Sequence, residues 1–270
     1  MTTEPTRPPI LSATVILGRD GHDGLEVFMV KRNRQIDFAS GALVFPGGKV
    51  DDDDRSPSLQ PHCLGASNWS DRERCLRVAA IREVYEEAGI FLAQYQGSGK
   101  MISAADLERL SSERGKLCDG AISLETLITA ENLLLACDAL VPFAHWITPE
   151  QMPKRFDTVF FLAETPGDHL GQHDGHESVD SVWITPEEAV RQAESGTFTM
   201  IFPTKMNMLK LARYATLEKA LQGARSESLV TITPWVEERN GELTLCIPEH
   251  AGYPVTSESL AKVMGQAKGK

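Results

Sequence analysis

No run in this 270-residue chain approaches the roughly 18–20 apolar residues that a membrane-spanning helix needs, so no segment reads as such a span. Cysteine is scarce and odd in number: Cys63, Cys75, Cys118, Cys137 and Cys246 lie scattered, with no C-x-x-C pair among them. That argues against a disulfide framework and for free thiols in a reducing compartment. For the same reason His62, Cys63 and Cys75 do not read as a zinc site. Positive charge is in deficit, with 27 Lys and Arg against 38 Asp and Glu and a net charge of −11. Such a chain does not draw polyanions through its overall field, which argues against a nucleic-acid-binding module. A phosphate-bearing small molecule must then be held by metal ions and a few local cations. Internal repeats and low-complexity stretches are absent. The first ten residues, MTTEPTRPPI, lack a charged-then-apolar signal pattern, and the last four, AKGK, are not a peroxisomal address. The expected location is therefore the cytoplasm, with no membrane partner.

What is present is a strong helix signal over about 71–88. Ser70 and Glu73 form an S-x-x-E capping box, and Gly89 is a natural stop. Side chains three and four apart share a helix face, so Glu83, Glu86 and Glu87 converge on one stripe. Val78, Ile81, Val84, Tyr85 and Ala88 lie opposite and are expected to face a core. Leu76, Ala79 and Ala80 continue the acidic stripe one turn back, where the alanines permit close approach. Three carboxylates on one face repel, and only Arg82 is interleaved to offset them, reaching Glu86. A hard divalent cation, Mg²⁺ or Mn²⁺, would neutralise such an oxygen cluster. A solvated acidic helix is the plain alternative, and the upstream run Phe45-Pro46-Gly47-Gly48-Lys49-Val50 decides against it. Its paired glycines permit positive φ and close backbone approach.

Together the loop and the helix resemble the signature of the Nudix hydrolases, G-x5-E-x7-R-E-U-x-E-E-x-G-U, where U is aliphatic. Arg82, Glu83, Glu86, Glu87 and Gly89 occupy every fixed position of its second half, with Val84 and Ile90 as the aliphatics. Gly48 matches the opening glycine. Two departures stand out. Asp54 lies where the family has Glu, and residues 55–81 separate it from Arg82 where the family usually has seven, so about twenty residues interrupt the motif. The resemblance implies metal binding by Gly48 (through its carbonyl), Glu83, Glu86 and Glu87. It also implies a positioning role for Arg82 toward Glu86 or a carboxylate of the 51–54 run, and a further glutamate in a late loop, for which Glu177 is the candidate. The proton acceptor is Glu83 or Glu177.

A second resemblance narrows the branch. Arg32, Gly41 and Phe45-Pro46-Gly47-Gly48 hold the spacing of the coenzyme A-cleaving Nudix enzymes, although Asn33 and Asp37 depart from the residues usual there. The interrupted motif and the run Arg155-Phe156-Asp157-Thr158-Val159-Phe160-Phe161 are similar to the peroxisomal acyl-CoA diphosphatase subgroup. This likeness makes Arg32, Gly47, Lys49 and Arg155 candidate substrate contacts. It implies a metal-dependent pyrophosphatase acting on a small-molecule nucleotide, coenzyme A or acyl-CoA first. ADP-ribose, NADH or a dinucleotide is the alternative, and a non-catalytic nucleotide-sensing module is the alternative of another class.

The implied fold is the Nudix α/β/α sandwich: a mixed sheet between helices, in a single domain over 8–265. Insertions are expected at about 55–70 and 97–138, with a C-terminal extension from about 225. Alternating patterns predict strands over 10–17, 25–32, 140–148, 157–164 and 178–185. Helical periodicity predicts helices over 104–116, 124–140 and 202–221, the last closed by Gly223. The helical insertion reads as a lid, a homodimer contact or plain elaboration. The stretch 167–176, with His169, His173 and His176, reads as a polar surface loop. Arg239-Asn240-Gly241 reads as a hairpin turn, and residues after Gly252 as peripheral.

Overall fold

The computed structural model describes residues 8–32, 41–171 and 178–267. In chain order its strands are β1 (Ile10–Gly21), β2 (Gly24–Arg32), β3 (Leu43–Val44), β4 (Gly47–Lys49), β5 (Ala93–Tyr95), β6 (Leu133–Leu135), β7 (Val141–Ile147), β8 (Phe156–Glu164), β9 (Ser178–Ile184), β10 (Thr231–Ile232), β11 (Trp235–Arg239), β12 (Glu242–Cys246) and β13 (Ser257–Ser259). The helices are α1 (Asp71–Ala88), α2 (Ala104–Arg109), α3 (Ser111–Cys118), α4 (Leu124–Ala130), α5 (Pro186–Glu194), α6 (Phe202–Leu211), α7 (Leu217–Ser226) and α8 (Leu260–Ala267).

The main sheet runs β10-β7-β8-β1-β2-β3, with β4 also on β1 and β9 also on β2. It is mixed, because β1 pairs with β8 in parallel and with β2 in antiparallel fashion. Strand alternation sorts its residues onto two cores. Ala13, Val15, Leu17, Phe28, Val30, Val159 and Phe161 face α1, together with Val78, Ile81, Val84 and Tyr85. Ile16, Val27, Met29, Phe160 and Leu162 face the other way, onto Ala189, Met206, Met208, Leu211 and Ala220 of α5–α7. The result is the expected α/β/α sandwich. One edge of β1 is shared: β2 takes it at Gly18–Gly21 and β4 takes it at Ser12–Thr14. At the fork the Val15 amide donates to the Pro46 carbonyl (2.9 Å), so the Phe45–Lys49 loop is wedged into the sheet.

Helix breaks are where the periodicity misleads. The 104–116 pattern divides into α2 and α3 at Leu110, whose amide closes on Asp106. The 124–140 pattern stops at Ala130; Asn132 adopts φ 54°, and 133–135 instead pairs with β5. The 202–221 pattern divides into α6 and α7, and Gly223 lies inside α7. The Asn240-Gly241 turn does join β11 to β12, with both residues at positive φ. Not all of the described residues after Gly252 are peripheral. Tyr253 is buried, donates to Asn207 Oδ1 (2.7 Å) and accepts from Trp146 Nε1 (3.2 Å). Glu258 meets the buried Lys205 at 2.5 Å, which ties β13 to α6.

The expectation of a polar surface loop is overturned at His169, whose side chain is fully buried; His173 and His176 lie outside the described residues. Nε2–H donates to the Ile102 carbonyl (3.0 Å), while the neighbouring Asp168 accepts from the first amide of α2 (2.8 Å). Burial holds the imidazole below its ordinary pKa. Below about pH 6.5 the unfolded chain takes up a proton that the folded chain refuses. This contribution to stability is full above that pH and falls as pH drops through the lowered folded value. The urea midpoint is expected to drop between about pH 7 and pH 5, and H169Q to lose that part of the slope. Parallel slopes for wild type and H169Q would contradict it.

Candidate active site

The carboxylates sit where a well-capped helix ends. Ser70 and Glu73 cap α1 reciprocally, and Gly89, at φ 64°, returns its amide to the Tyr85 carbonyl. The last turns carry Glu83, Glu86 and Glu87 and no basic residue after Arg82. The Arg82 side chain is only 9% exposed and acts as the hub. It grips Asp54 with two parallel bonds (3.0 and 2.9 Å), Glu86 at 2.9 Å, Glu83 at 3.1 Å and the Lys49 carbonyl at 2.9 Å. The partner left open in the 51–54 run is thus Asp54, which is 1% exposed and also accepts from the Asp51 amide. Asp51 itself stands 3.5 Å away and is mostly exposed.

The interruption of the motif leaves this geometry in place because its ends are pinned. Residues 53–68 form three short 3₁₀ turns. Arg74 donates to the Ser56 and Arg55 carbonyls, holding the start of the excursion on α1. Arg77 lies between the Trp69 and Phe161 rings and donates to the Cys137 and Leu140 carbonyls. Loop-closure entropy grows slowly with length, so a longer excursion with fixed ends costs little.

The glycines bring the loop onto the carboxylates. The Gly47 amide donates to Glu87 (2.9 Å). A Cβ on Gly48 would fall on the Glu83 carboxylate, so that carboxylate lies flat against the bare Cα. A Cβ on Gly47 would strike the backbone of Ala13 and Thr14, and its φ of 152° favours glycine. The two sites therefore separate. G48A meets only the end of a flexible side chain and is expected to cut activity by pushing Glu83 aside, with a normal melting temperature. G47A meets backbone and is expected to destabilise by about 1–3 kcal/mol. Thermal melts beside activity assays check this; equal melting losses for both would refute it.

Burial raises the Glu83 carboxyl to about 7, with Arg82 opposing and the Glu86 charge adding to the rise. Glu86 and Asp54 are raised in direction by the same desolvation. Among the described residues no three acidic, histidine or cysteine groups form a ready cage. The donor set nonetheless fits Mg²⁺, which binds through one or two carboxylates plus substrate phosphates and keeps several waters. Partly buried carboxylates around a cradle with no Cβ are groups that a cation would stabilise in ionised form.

The other candidates separate. Lys49 takes part through its carbonyl, while its side chain is exposed. Arg32 ends β2, with its amide on the Ala42 carbonyl (3.0 Å). Arg155 precedes β8 and donates Nε to Thr148 (3.1 Å), in the β7–β8 hairpin. Glu177 lies outside the described residues. Two contacts went unread in the sequence. The buried Tyr85 hydroxyl donates to the Leu110 carbonyl (3.1 Å), and Arg114 donates to the Glu86 carbonyl (2.8 Å). Both join α1 to the α2–α3 segment, and no local pattern signals either.

A mixed sheet between two helical layers, with an acidic helix end against a Gly-Gly loop, defines a Nudix hydrolase fold. A crystal structure of a NUDIX hydrolase from Alicyclobacillus acidocaldarius superposes with TM-score 0.69 at 27% identity, covering 81% of this chain and 97% of that one. Residues 65–211, more than half the chain, match the family model for the NUDT19 Nudix domain, and the chain belongs to that family. The match includes Arg82 to Glu87 and stops short of Gly47–Asp54. The chain is similar to a putative nudix hydrolase 7 of Caenorhabditis elegans, at 27% identity over 69% of this chain and 56% of that protein. It is also similar to the acyl-coenzyme A diphosphatases NUDT19 of Gallus gallus (26% identity; 77% of this chain, 68% of that protein) and Homo sapiens (23%; 87% and 70%). The chain thus spans between 56% and 70% of the length of these relatives.

Proposed function

We propose that this chain hydrolyses the pyrophosphate bond of a nucleoside diphosphate linked to another moiety, with coenzyme A or an acyl-CoA as substrate. The observation that carries the reading is the carboxylate cluster at the end of α1, closed by the Gly47–Gly48 loop. The substrate is supported by the acyl-coenzyme A diphosphatases among the relatives and by the Arg32, Gly41 and Phe45–Gly48 spacing.

Glu83, Glu86 and Glu87, with the Gly48 carbonyl, would hold Mg²⁺ or Mn²⁺. A bound cation supplies charge shielding of the phosphates, a more acidic water and stabilisation of the leaving phosphate. The chain's own residues set the geometry. Arg82 holds Glu83 and Glu86 at fixed angles and is itself fixed by Asp54. The Gly47 amide orients Glu87. A glutamate, Glu83 or Glu177, takes the proton of the attacking water. Arg32, Lys49 and Arg155 are the cations proposed to meet the substrate's phosphates.

Product analysis by mass spectrometry tests the reading. The protein is incubated with Mg²⁺ or Mn²⁺ and separate pools of CoA, acyl-CoA, ADP-ribose and NADH. Adenosine 3′,5′-bisphosphate plus the phosphopantetheine moiety is expected. Cleavage of ADP-ribose or NADH alone would keep the hydrolase and remove the CoA assignment. ADP-ribose binding without any turnover would favour a nucleotide-sensing module.

A further inference from the structure

The C-terminal end of α1 is an unfavourable place for three carboxylates. The helix dipole is negative there, and α1 supplies no cation in its last turn. A cation arrives instead from the helical insertion. Arg114, in α3, donates both Nε (3.3 Å) and a terminal nitrogen (2.8 Å) to the carbonyl of Glu86. That carbonyl is one of the last four of α1, which cannot find partners by continuing the helix. The guanidinium lies across Gly89, where a Cβ would come within 2.9 Å of it. Beside it, the buried Tyr85 hydroxyl of α1 bonds back to the Leu110 carbonyl, at the α2–α3 junction. The insertion and the acidic helix therefore clamp each other through reciprocal bonds, one donor from each side.

We infer that Arg114 is a positioning residue for Glu86 and Glu87, holding the last turn of α1 so that both carboxylates meet the Gly47–Gly48 loop. Its two bonds to α1 both run to the Glu86 carbonyl, so it acts through the Glu86 backbone. The Glu87–Gly47 bond depends on where that turn sits, since Glu87 follows Glu86 directly. This gives the helical insertion a role in catalysis, and it rests on the metal-dependent reading of the site.

R114M keeps the stem and removes the fork, whereas R114K keeps a single donor. Mn²⁺ binding by calorimetry is measured for wild type and both variants, beside kcat and KM on the substrate that wild type cleaves. Loss of a group that orients ligands costs about 10- to 100-fold in metal affinity or turnover. R114M is expected to weaken Mn²⁺ binding by at least tenfold and to lower kcat with KM little changed, and R114K to recover part of both. A purely structural role would lower the melting temperature and leave the Mn²⁺ affinity of the folded fraction unchanged. R114M with wild-type Mn²⁺ affinity overturns the inference, as does R114K behaving no better than R114M. The wild-type arm is separate: Mn²⁺ bound with no substrate cleaved would remove the hydrolase reading while the variants still decide the role of Arg114.

Discussion

E86Q is expected to lower kcat by about two to three orders of magnitude at saturating Mg²⁺ while leaving the melting temperature near that of wild type. The reasoning turns on what the amide keeps. Glutamine is nearly isosteric, and its carbonyl oxygen still accepts from Arg82, so the 2.9 Å contact survives. The Glu86 side chain is 19% exposed and reaches toward solvent at the end of α1, so its replacement opens no cavity. What disappears is one negative charge of the set proposed to hold the cation. Burial already works against ionisation at this position, which means that removing the charge is not costly for the fold. E87Q should lose activity on a similar scale, because Glu87 is buried and fixed by the Gly47 amide. Steady-state kinetics over a Mg²⁺ series, beside thermal melts, decides the matter. Wild-type kcat in E86Q at saturating Mg²⁺ would remove Glu86 from the metal-binding set.

The difference between what was legible and what was not follows sequence separation. The acidic helix was legible to the residue, since its start and stop are written locally in Ser70, Glu73 and Gly89. The sheet strands were legible because alternation in β1, β2 and β8 reports burial on two faces. Helix breaks at Leu110, Asn132 and 213–216 were not, because apolar periodicity continues across a break that only backbone angles reveal. At the site, the three glutamates and Arg82 were legible as a motif. The partner of Arg82 was not, since Asp54 and its neighbours Asp51, Asp52 and Asp53 are alike in chemistry. Burial distinguishes Asp54 from Asp51, and burial there is set by how the inserted turns fold back on α1. The Arg114 and Tyr85 contacts were illegible for the same reason, as each joins α1 to the α2–α3 segment some 25 to 28 residues away. Tyr253 is a similar case at the other end of the chain: a C-terminal aromatic anchored in the second core by Asn207 and Trp146.

R82M should be the most destabilising single change at the site, at about 3–5 kcal/mol. Arg82 is the cation that lets Asp54 remain buried in this structure. Without it, Asp54 keeps the Asp51 amide and loses both guanidinium bonds, in surroundings that already raise its pKa through desolvation. Glu86, which lies closer to solvent, loses a partner but can be hydrated at smaller cost, and Glu83, which burial already raises to about 7, can take up a proton instead. Most of the penalty therefore belongs to Asp54. A double-mutant cycle isolates it: if the loss is that of an unpaired buried charge, adding D54L to R82M should restore at least half the stability, because an apolar side chain needs no counterion. The rescue would concern the fold alone, since the double variant still lacks the group that orients Glu86 and should stay inactive. Urea unfolding of wild type, R82M, D54L and the double variant supplies the four free energies. Additive losses would mean that Arg82 stabilises the site through Glu83, Glu86 and the Lys49 carbonyl instead. In that case Asp54 would no longer explain why the motif works with an aspartate and a long interruption where the family has a glutamate and a short link.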